Sequence, residues 1–389
     1  MPLSRRAFFG LDVSGGQPTA PLIIARGREA LAEELGPLGS EIGVIEPPQD
    51  GEIRISSNEN PLGPPPVAVE AIRGSFGRDA GRYPFNSQPN MSDLTRALAE
   101  KHGCEPENIV LGAGSGEILK NAAHAFTNRD RHFVTGTPSY LQPSRVARYL
   151  GATVVSIPVN RADGKLDLGA MEAAARGAGL IFLCNPNNPT STVHTGSDVR
   201  AFARTVRRNS PNTVIHFDEA YHEYVTHPDY EPALELALET PNVFVTRTFS
   251  KLFGMAGMRI GYGVGHRDTI ATLRRYSLTV NTNVPGLAAA YAAVRETDFV
   301  RTEHRRNTEA KQFTVDFLAG RGFECYNSQT NFIFVELGRP AADFRAACRE
   351  HGVSVGRDFP PMERTHARIS IGTMDEMKRA CEVFEEVLA

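Results

Sequence analysis

The chain has 389 residues, of which 41% are hydrophobic, and a formal net charge of −3 from 42 basic and 45 acidic side chains. That length suits two domains with a large core, and the balanced charge gives no reason to expect nucleic acid as a partner. No apolar run approaches the ~20 residues needed to span a bilayer. The five cysteines (Cys104, Cys184, Cys325, Cys348, Cys381) are scattered, with no C-x-x-C pair. They read as reduced thiols of a cytoplasmic-type protein. His216, His222 and His227 flank Asp218 at spacings that fit no zinc pattern, so no metal is expected.

At the N-terminus, Ser4-Arg5-Arg6 followed by Phe8-Phe9 has the form of a twin-arginine export motif. The stretch from Leu11 to Pro18 is polar and glycine-rich, so it supplies no apolar signal core. An unexported or degenerate leader is expected, with the first ~25 residues poorly ordered. Residues 27–36 read as a short helix. Proline clusters at Pro47-Pro48 and Pro61 to Pro66 bracket an extended, non-helical segment.

From about residue 90, helical patterns alternate with short apolar runs. The runs are Asn108–Leu111, Arg131–Thr135, Thr153–Val159, Gly179–Cys184, Thr213–Phe217, Asn242–Val245 and Ile260–Val264. Runs apolar throughout suit strands buried on both faces, and the alternation with helices predicts an α/β fold with a mostly parallel, seven-stranded, helix-covered sheet. After about residue 285 the pattern changes to a smaller α+β unit. It has a long helical region from Leu287 to Leu318, straight or kinked, and strands at Phe323–Tyr326, Asn331–Val335 and Arg368–Ile371. Helices are expected at Ala341–Glu350 and Met374–Leu388. The expected divisions are 1–50 (leader or arm), 51–80 (packing on the small domain or a partner subunit), 81–285 (large domain) and 286–389 (small domain).

The segment Thr248-Phe-Ser250-Lys251-Leu-Phe-Gly254-Met-Ala-Gly257-Met-Arg259-Ile-Gly261 concentrates the chemistry. A lysine at the end of an apolar strand is partly desolvated, which lowers its pKa and favours a nucleophilic, Schiff-base-forming amine. Thr248, Ser250 and Arg259 are donors suited to a phosphate. A Schiff-base lysine beside a phosphate site suggests pyridoxal 5'-phosphate (PLP). The loop Gly112-Ala-Gly114-Ser115-Gly116 turns a strand into a helix N-terminus, where backbone N–H groups and the Ser115 hydroxyl would hold that phosphate. Asp218 closes a β-branched run, and a buried carboxylate there needs a partner such as a protonated pyridinium; the alternative is a helix N-cap.

Ser250-Lys251…Gly257-Met-Arg259-Ile-Gly261 resembles the cofactor-lysine segment of fold-type I PLP enzymes, aminotransferase class I/II. Gly112–Glu117, Asn185-Pro-Asn-Asn188-Pro189-Thr190 and Asp218-Glu-Ala-Tyr221 follow the same family order. Ser57-Asn58-Glu59-Asn60-Pro61-Leu-Gly63 resembles the opening of the histidinol-phosphate aminotransferase subgroup. The resemblance spans roughly residues 50–389. It implies that Asn188 and Tyr221 contact the ring phenolate oxygen, that Tyr140 stacks on the ring, and that Arg368 clamps a substrate carboxylate. It also implies that Asn60 lies in the substrate site and that Tyr83 reaches the neighbouring subunit of a homodimer. Arg357, eleven residues before Arg368, is a second candidate anion contact; otherwise it pairs with Asp358 or another acid.

Two positions depart from the family pattern. Ser191 replaces the glycine of Asn-Pro-Thr-Gly, and Ser277–Asn283 replaces a Pro-Tyr-Asn-Val-like segment. The expected reaction is transamination from histidinol phosphate, or another amine or amino acid, to a 2-oxo acid such as 2-oxoglutarate. Decarboxylation or oxygen-dependent oxidation on the same scaffold, and a non-enzymatic PLP-fold module, are the alternatives.

Overall fold

The computed structural model describes residues 51–389; the leader motif at Ser4-Arg5-Arg6 and the helix expected at 27–36 lie outside them. The chain runs β1 (Ile53–Ile55), α1 (Pro66–Ser75), α2 (Met91–His102), β2 (Ile109–Ala113), α3 (Ser115–Phe126), β3 (His132–Thr137), α4 (Gln142–Tyr149) and β4 (Val154–Pro158). It continues through α5 (Leu168–Ala173), β5 (Ala178–Cys184), α6 (Gly196–Asn209), β6 (Val214–Asp218), α7 (Leu234–Glu239), β7 (Val243–Thr248), β8 (Ile260–Gly265) and α8 (Arg267–Arg274). The last third holds α9 (Val284–Ala293), α10 (Thr297–Ala319), β9 (Phe332–Glu336), α11 (Ala341–Glu350), β10 (Val353–Val355), β11 (His366–Ser370) and α12 (Met374–Leu388).

All seven expected strands join one sheet in the order β2-β8-β7-β6-β5-β3-β4. Only β8 runs antiparallel to its neighbours. Strand β5 shows why a continuous apolar run was needed. Leu180, Phe182 and Cys184 pack in the layer of α3, with Ile118, Leu119 and Ala122. The alternating residues Ile181 and Leu183 pack in the layer of α6, with Val199, Phe202 and Val206. Successive side chains leave a strand on opposite faces, so a strand covered on both sides has no polar position to spare. Helix α6 starts where Thr195 and Asp198 form a reciprocal capping box, and its apolar positions recur on the face turned to the sheet.

A second core gathers Ile333, Val335, Phe344, Ile369, Met377 and Phe384 from β9, β11, α11 and α12. Strands β9 and β11 pair antiparallel, and β1 pairs parallel with β10. Neither β1 nor β10 was foreseen as a strand; each is three residues long and gains its ladder only from the other. Helix α1 packs against α9, with Ala68 in one cluster with Leu94, Leu98 and Leu287.

Two further expectations are corrected. The helical region from Leu287 to Leu318 is two helices, interrupted between Ala293 and Thr297. Helix α9 is buried against α1 and α2, whereas α10 lies against β9 and α12, and one straight rod could not serve both. Phe323–Tyr326 is not a strand: Cys325 makes a single bridge to Val335. The Tyr326 N–H still reaches the Phe334 carbonyl, so this segment flanks β9 without continuing its ladder.

Candidate active site

Because β8 alone is reversed, its first residue lies at the same sheet edge as the carboxyl ends of β2, β3, β5, β6 and β7. Ligands of open α/β sheets bind at that edge. Arg259 precedes β8 there, in left-handed backbone at φ 53. Its Nη1 donates to Ala256 O at 2.8 Å and reaches Ser250 Oγ at 3.4 Å, while Nη2 reaches Ala113 O at 3.5 Å. Thr248 Oγ1 donates to Ser250 Oγ at 2.9 Å. Gly114, at φ 72, precedes α3, whose N-terminus has no side-chain cap. Gly114, Ser115 and Gly116 thus share one corner with Thr248, Ser250 and Arg259.

The corner is built on glycine. A Cβ at Gly114 would collide with the Arg259 guanidinium, and one at Gly261 would overlap Ser115 N and lie 2.6 Å from Gly114 C. Strand β8 therefore passes directly beneath the start of α3. The nearby Glu117 carboxylate is occupied, accepting from Ala113 N at 2.7 Å and Asn281 Nδ2 at 3.3 Å. What remains is a set of donors at a helix N-terminus, the arrangement that binds phosphate.

Lys251 follows β7 at this edge. Its Nζ donates to Ser57 O at 3.2 Å and lies 5.7 Å from the centre of the Tyr221 ring. Burial, with the nearby Arg368 charge next, lowers its pKa to about 8. Asp218 ends β6, 4% exposed, and burial raises its carboxyl to about 7 against a hydrogen bond donated by Thr246 Oγ1 at 3.0 Å. Tyr221, three residues on, is buried, and its hydroxyl accepts from Asn58 Nδ2 at 3.1 Å and Asn188 Nδ2 at 3.3 Å. Arg368 donates Nη1 to Asn188 Oδ1 at 2.8 Å and Nη2 to Ser56 O at 2.6 Å, and its buried Nε has no partner among the described residues. Lys251, Tyr221, Asn188 and Arg368 thus form one connected cluster.

Tyr140, after β3, donates its hydroxyl to Gln142 Oε1 at 3.1 Å; Gln142 Nε2 then donates to Gly116 O at 3.1 Å, linking the tyrosine to the glycine corner. Arg357 lies with its Cζ 4.4 Å from the centre of the Phe359 ring, and the Arg368 Cζ lies 4.7 Å from that ring centre. The Asp358 carboxylate pairs with Arg345, and Arg357 donates Nη1 to the Asp358 backbone carbonyl at 3.0 Å. The alternative reading of Arg357, an ion pair with Asp358, is therefore not met.

Two positions stand apart from the cluster. Asn60 spends its amide on the backbone, donating to Leu252 O at 2.8 Å and accepting from Leu62 N at 2.9 Å. The asparagine of that motif which faces Tyr221 is Asn58, in left-handed backbone at φ 55 and held by Ser370 Oγ at 2.7 Å. The motif Ser57-Asn58-Glu59-Asn60 carried the signal; which asparagine turns inward depends on a backbone angle that asparagine tolerates. Tyr83 is 66% exposed and stacks on Phe85 at 5.5 Å.

The chemistry of this donor set fits PLP: a phosphate at the glycine corner, an aldehyde within reach of a lysine of lowered pKa, and a basic ring nitrogen at a buried carboxylate. Comparison with known proteins agrees. The family model described as Aminotransferase class I and II matches residues 50–384. The histidinol-phosphate aminotransferase of Brevibacillus brevis is 34% identical over 342 residues, covering 86% of this chain and 90% of that protein. That of Bacillus subtilis strain 168 is 33% identical over 341 residues, covering 87% and 92%. The crystal structure of histidinol-phosphate aminotransferase from Sinorhizobium meliloti, in complex with pyridoxal-5'-phosphate, has a TM-score of 0.80 at 29% identity, covering 97% of this chain and 99% of that one. Thermus thermophilus aspartate aminotransferase, at 20% identity and a TM-score of 0.76, shares the fold. The glycine corner, the lysine after β7 and the aspartate ending β6 are thus those of a chain that belongs to the aminotransferase class I and II family.

Proposed function

We propose that this PLP-dependent aminotransferase takes its amino group from L-histidinol phosphate and passes it to a 2-oxo acid such as 2-oxoglutarate. The observation that carries the substrate is the arginine pair. Arg357 and Arg368 lie against one ring, and neither forms an ion pair with a carboxylate of the described residues. Two such guanidiniums suit a donor bearing a phosphate and an acceptor bearing carboxylates, taken in turn.

PLP, when bound, supplies an aldehyde for amine exchange and an electron-withdrawing ring. In our reading Gly114, Ser115, Gly116, Thr248, Ser250 and Arg259 hold its phosphate. Asp218 would hold the ring nitrogen protonated, Asn188 and Tyr221 would hold the ring oxygen, and Tyr140 would cover a ring face. Lys251 Nζ would take up and return the substrate Cα proton as general base and acid, a role that a pKa of about 8 suits. Arg368 orients a carboxylate and Arg357 the donor phosphate. Asn58 supports Tyr221 through its amide.

We also read the enzyme as a homodimer, with Tyr83 donated across the subunit boundary, and as cytoplasmic, since all five cysteines are free. Among the described residues no helix is long and apolar enough to cross a membrane.

The test uses the purified enzyme with histidinol phosphate and 2-oxoglutarate, following glutamate. Arg357→Ala should lower kcat/KM for histidinol phosphate about ten- to a hundredfold, since one charge-assisted hydrogen bond contributes roughly 1.5–3 kcal/mol. An amino acid with an uncharged side chain should be nearly unaffected. Equal losses for both donors, or no turnover of histidinol phosphate by the wild type, would remove this substrate. Release of carbon dioxide or peroxide would remove transamination.

A further inference from the structure

Strand β6 carries a polar side chain for which the reaction described above has no use. His216 is fully buried, stacked on Phe244 with ring centres 4.1 Å apart and edge-on to Phe182 at 5.3 Å. Its Nε2 lies 2.8 Å from Thr246 Oγ1, and Thr246 Oγ1 donates to Asp218 Oδ1 at 3.0 Å. The sheet register fixes this line: Asp218 stands opposite Thr246, and His216 opposite Phe244, across β6 and β7.

The polarity of the line follows from proton counting. The Thr246 hydroxyl has one proton, and it goes to Asp218. Thr246 must then accept from His216, which places the imidazole proton on Nε2 and leaves Nδ1 a bare lone pair. Nδ1 has no partner among the described residues. The reverse polarity needs a protonated Asp218, a hydroxyl aimed at Nε2, and an N–H at Nδ1 buried without an acceptor. Orphaned N–H groups are the rarer and costlier case. Burial also drives the His216 pKa down to about 3, so the ring stays neutral.

We propose that His216 and Thr246 are positioning residues that hold Asp218 as an ionised acceptor for the protonated ring nitrogen of the cofactor, a role that rests on the PLP reading. The surroundings leave this task to Thr246. Asp218 is faced by Lys251 after β7, by Cys184 on β5, by Tyr140 after β3 and by Glu219 beside it. Besides the Ala220 backbone N–H, the Thr246 hydroxyl is the one donor to this carboxylate among the described residues. Glu219 opposes ionisation, and its own carboxylate is held by Arg247 at 2.8 Å.

Two measurements test this. In the cofactor-free wild type, 15N-histidine NMR should show His216 as the neutral Nε2–H tautomer above about pH 7, where Asp218 is ionised, with no charging of the ring near the ordinary histidine value. A Nδ1–H tautomer above about pH 7, or a ring that becomes charged near pH 6.5, overturns the line. Second, PLP affinity of the apoprotein is titrated spectrophotometrically from pH 6 to 9. Removing a donor from a carboxylate raises its pKa. Thr246→Val should therefore move the acid limb of the affinity profile upward by about one pH unit, with about tenfold weaker binding on that limb. Thr246→Ser should restore the wild-type limb, and His216→Phe should shift it in the same direction by less. An unmoved limb in Thr246→Val, or a Ser variant as impaired as Val, overturns the proposal. A wild type that binds no PLP overturns the cofactor reading instead, and the tautomer, read without cofactor, still decides the line on its own.

Discussion

Lys251 shows how a single side chain acquires its chemistry from its place. An ordinary lysine amine is protonated below about pH 10.4. This one, shielded and faced by Arg368, loses half its protons near pH 8. The sign is that of a depressed base, so free amine accumulates as pH rises through 8 while other lysines remain charged. In the cofactor-free protein, a small neutral aldehyde trapped by cyanoborohydride should therefore label Lys251 first, with a midpoint near pH 8 by peptide mapping. A midpoint near 10.5, or a first label on another lysine, would sink this account. In the loaded enzyme, borohydride should bleach the visible band and fix it to the same peptide, and Lys251→Ala should abolish turnover. Asp218 stood out in the sequence because it closes an apolar run, and Lys251 because it follows one among hydroxyls and glycines with Arg259 eight residues on. Asn58, His216 and Thr246 did not. Their roles depend on a backbone angle and on register across two strands, neither of which a one-dimensional pattern carries.

At the scale of elements, the close crossing of β8 under α3 is the feature most exposed to test. Gly261→Ala would drive a methyl group into the backbone at Gly114 and Ser115. Overpacking of this kind costs about 1–3 kcal/mol. Both a lower Tm and a several-fold weaker hold on PLP are expected, because the start of α3 must move. Gly257→Ala, where an added Cβ meets nothing within 4 Å, should leave both nearly unchanged. If the two variants behave alike, the crossing does not shape the phosphate corner. The seven strands of the main sheet were readable because a strand covered on both faces has to be apolar at every position. Strands β1 and β10 gave no such run, and their pairing spans some three hundred residues of chain. Phe323–Tyr326 misled for the opposite reason: its composition suits a strand, but only Cys325 bridges β9.

At the scale of the whole molecule, Leu62, Phe76, Tyr83 and Phe85 expose between 52% and 66% of their surface. If a second copy covers Tyr83 and receives it at its own site, inactive Tyr83 and Lys251 variants should complement each other. Mixing them under conditions of subunit exchange should restore up to about a quarter of wild-type activity, the share expected if one intact site forms in each mixed dimer and half the dimers are mixed. Sedimentation should give twice the chain mass; a fully active monomer would exclude the arrangement. The two sheets are also joined electrically. Arg368 stands on β11, Lys251 follows β7, and the positive charge of the first depresses the proton affinity of the second. An anion seated on Arg368 cancels that depression. By thermodynamic reciprocity, a proton on Lys251 must strengthen the hold on the anion by the same factor. If Arg368 seats a substrate carboxylate, as proposed, then capture of that carboxylate and protonation of the Lys251 amine form a single linked equilibrium, in which each carboxylate that arrives makes the lysine a stronger base.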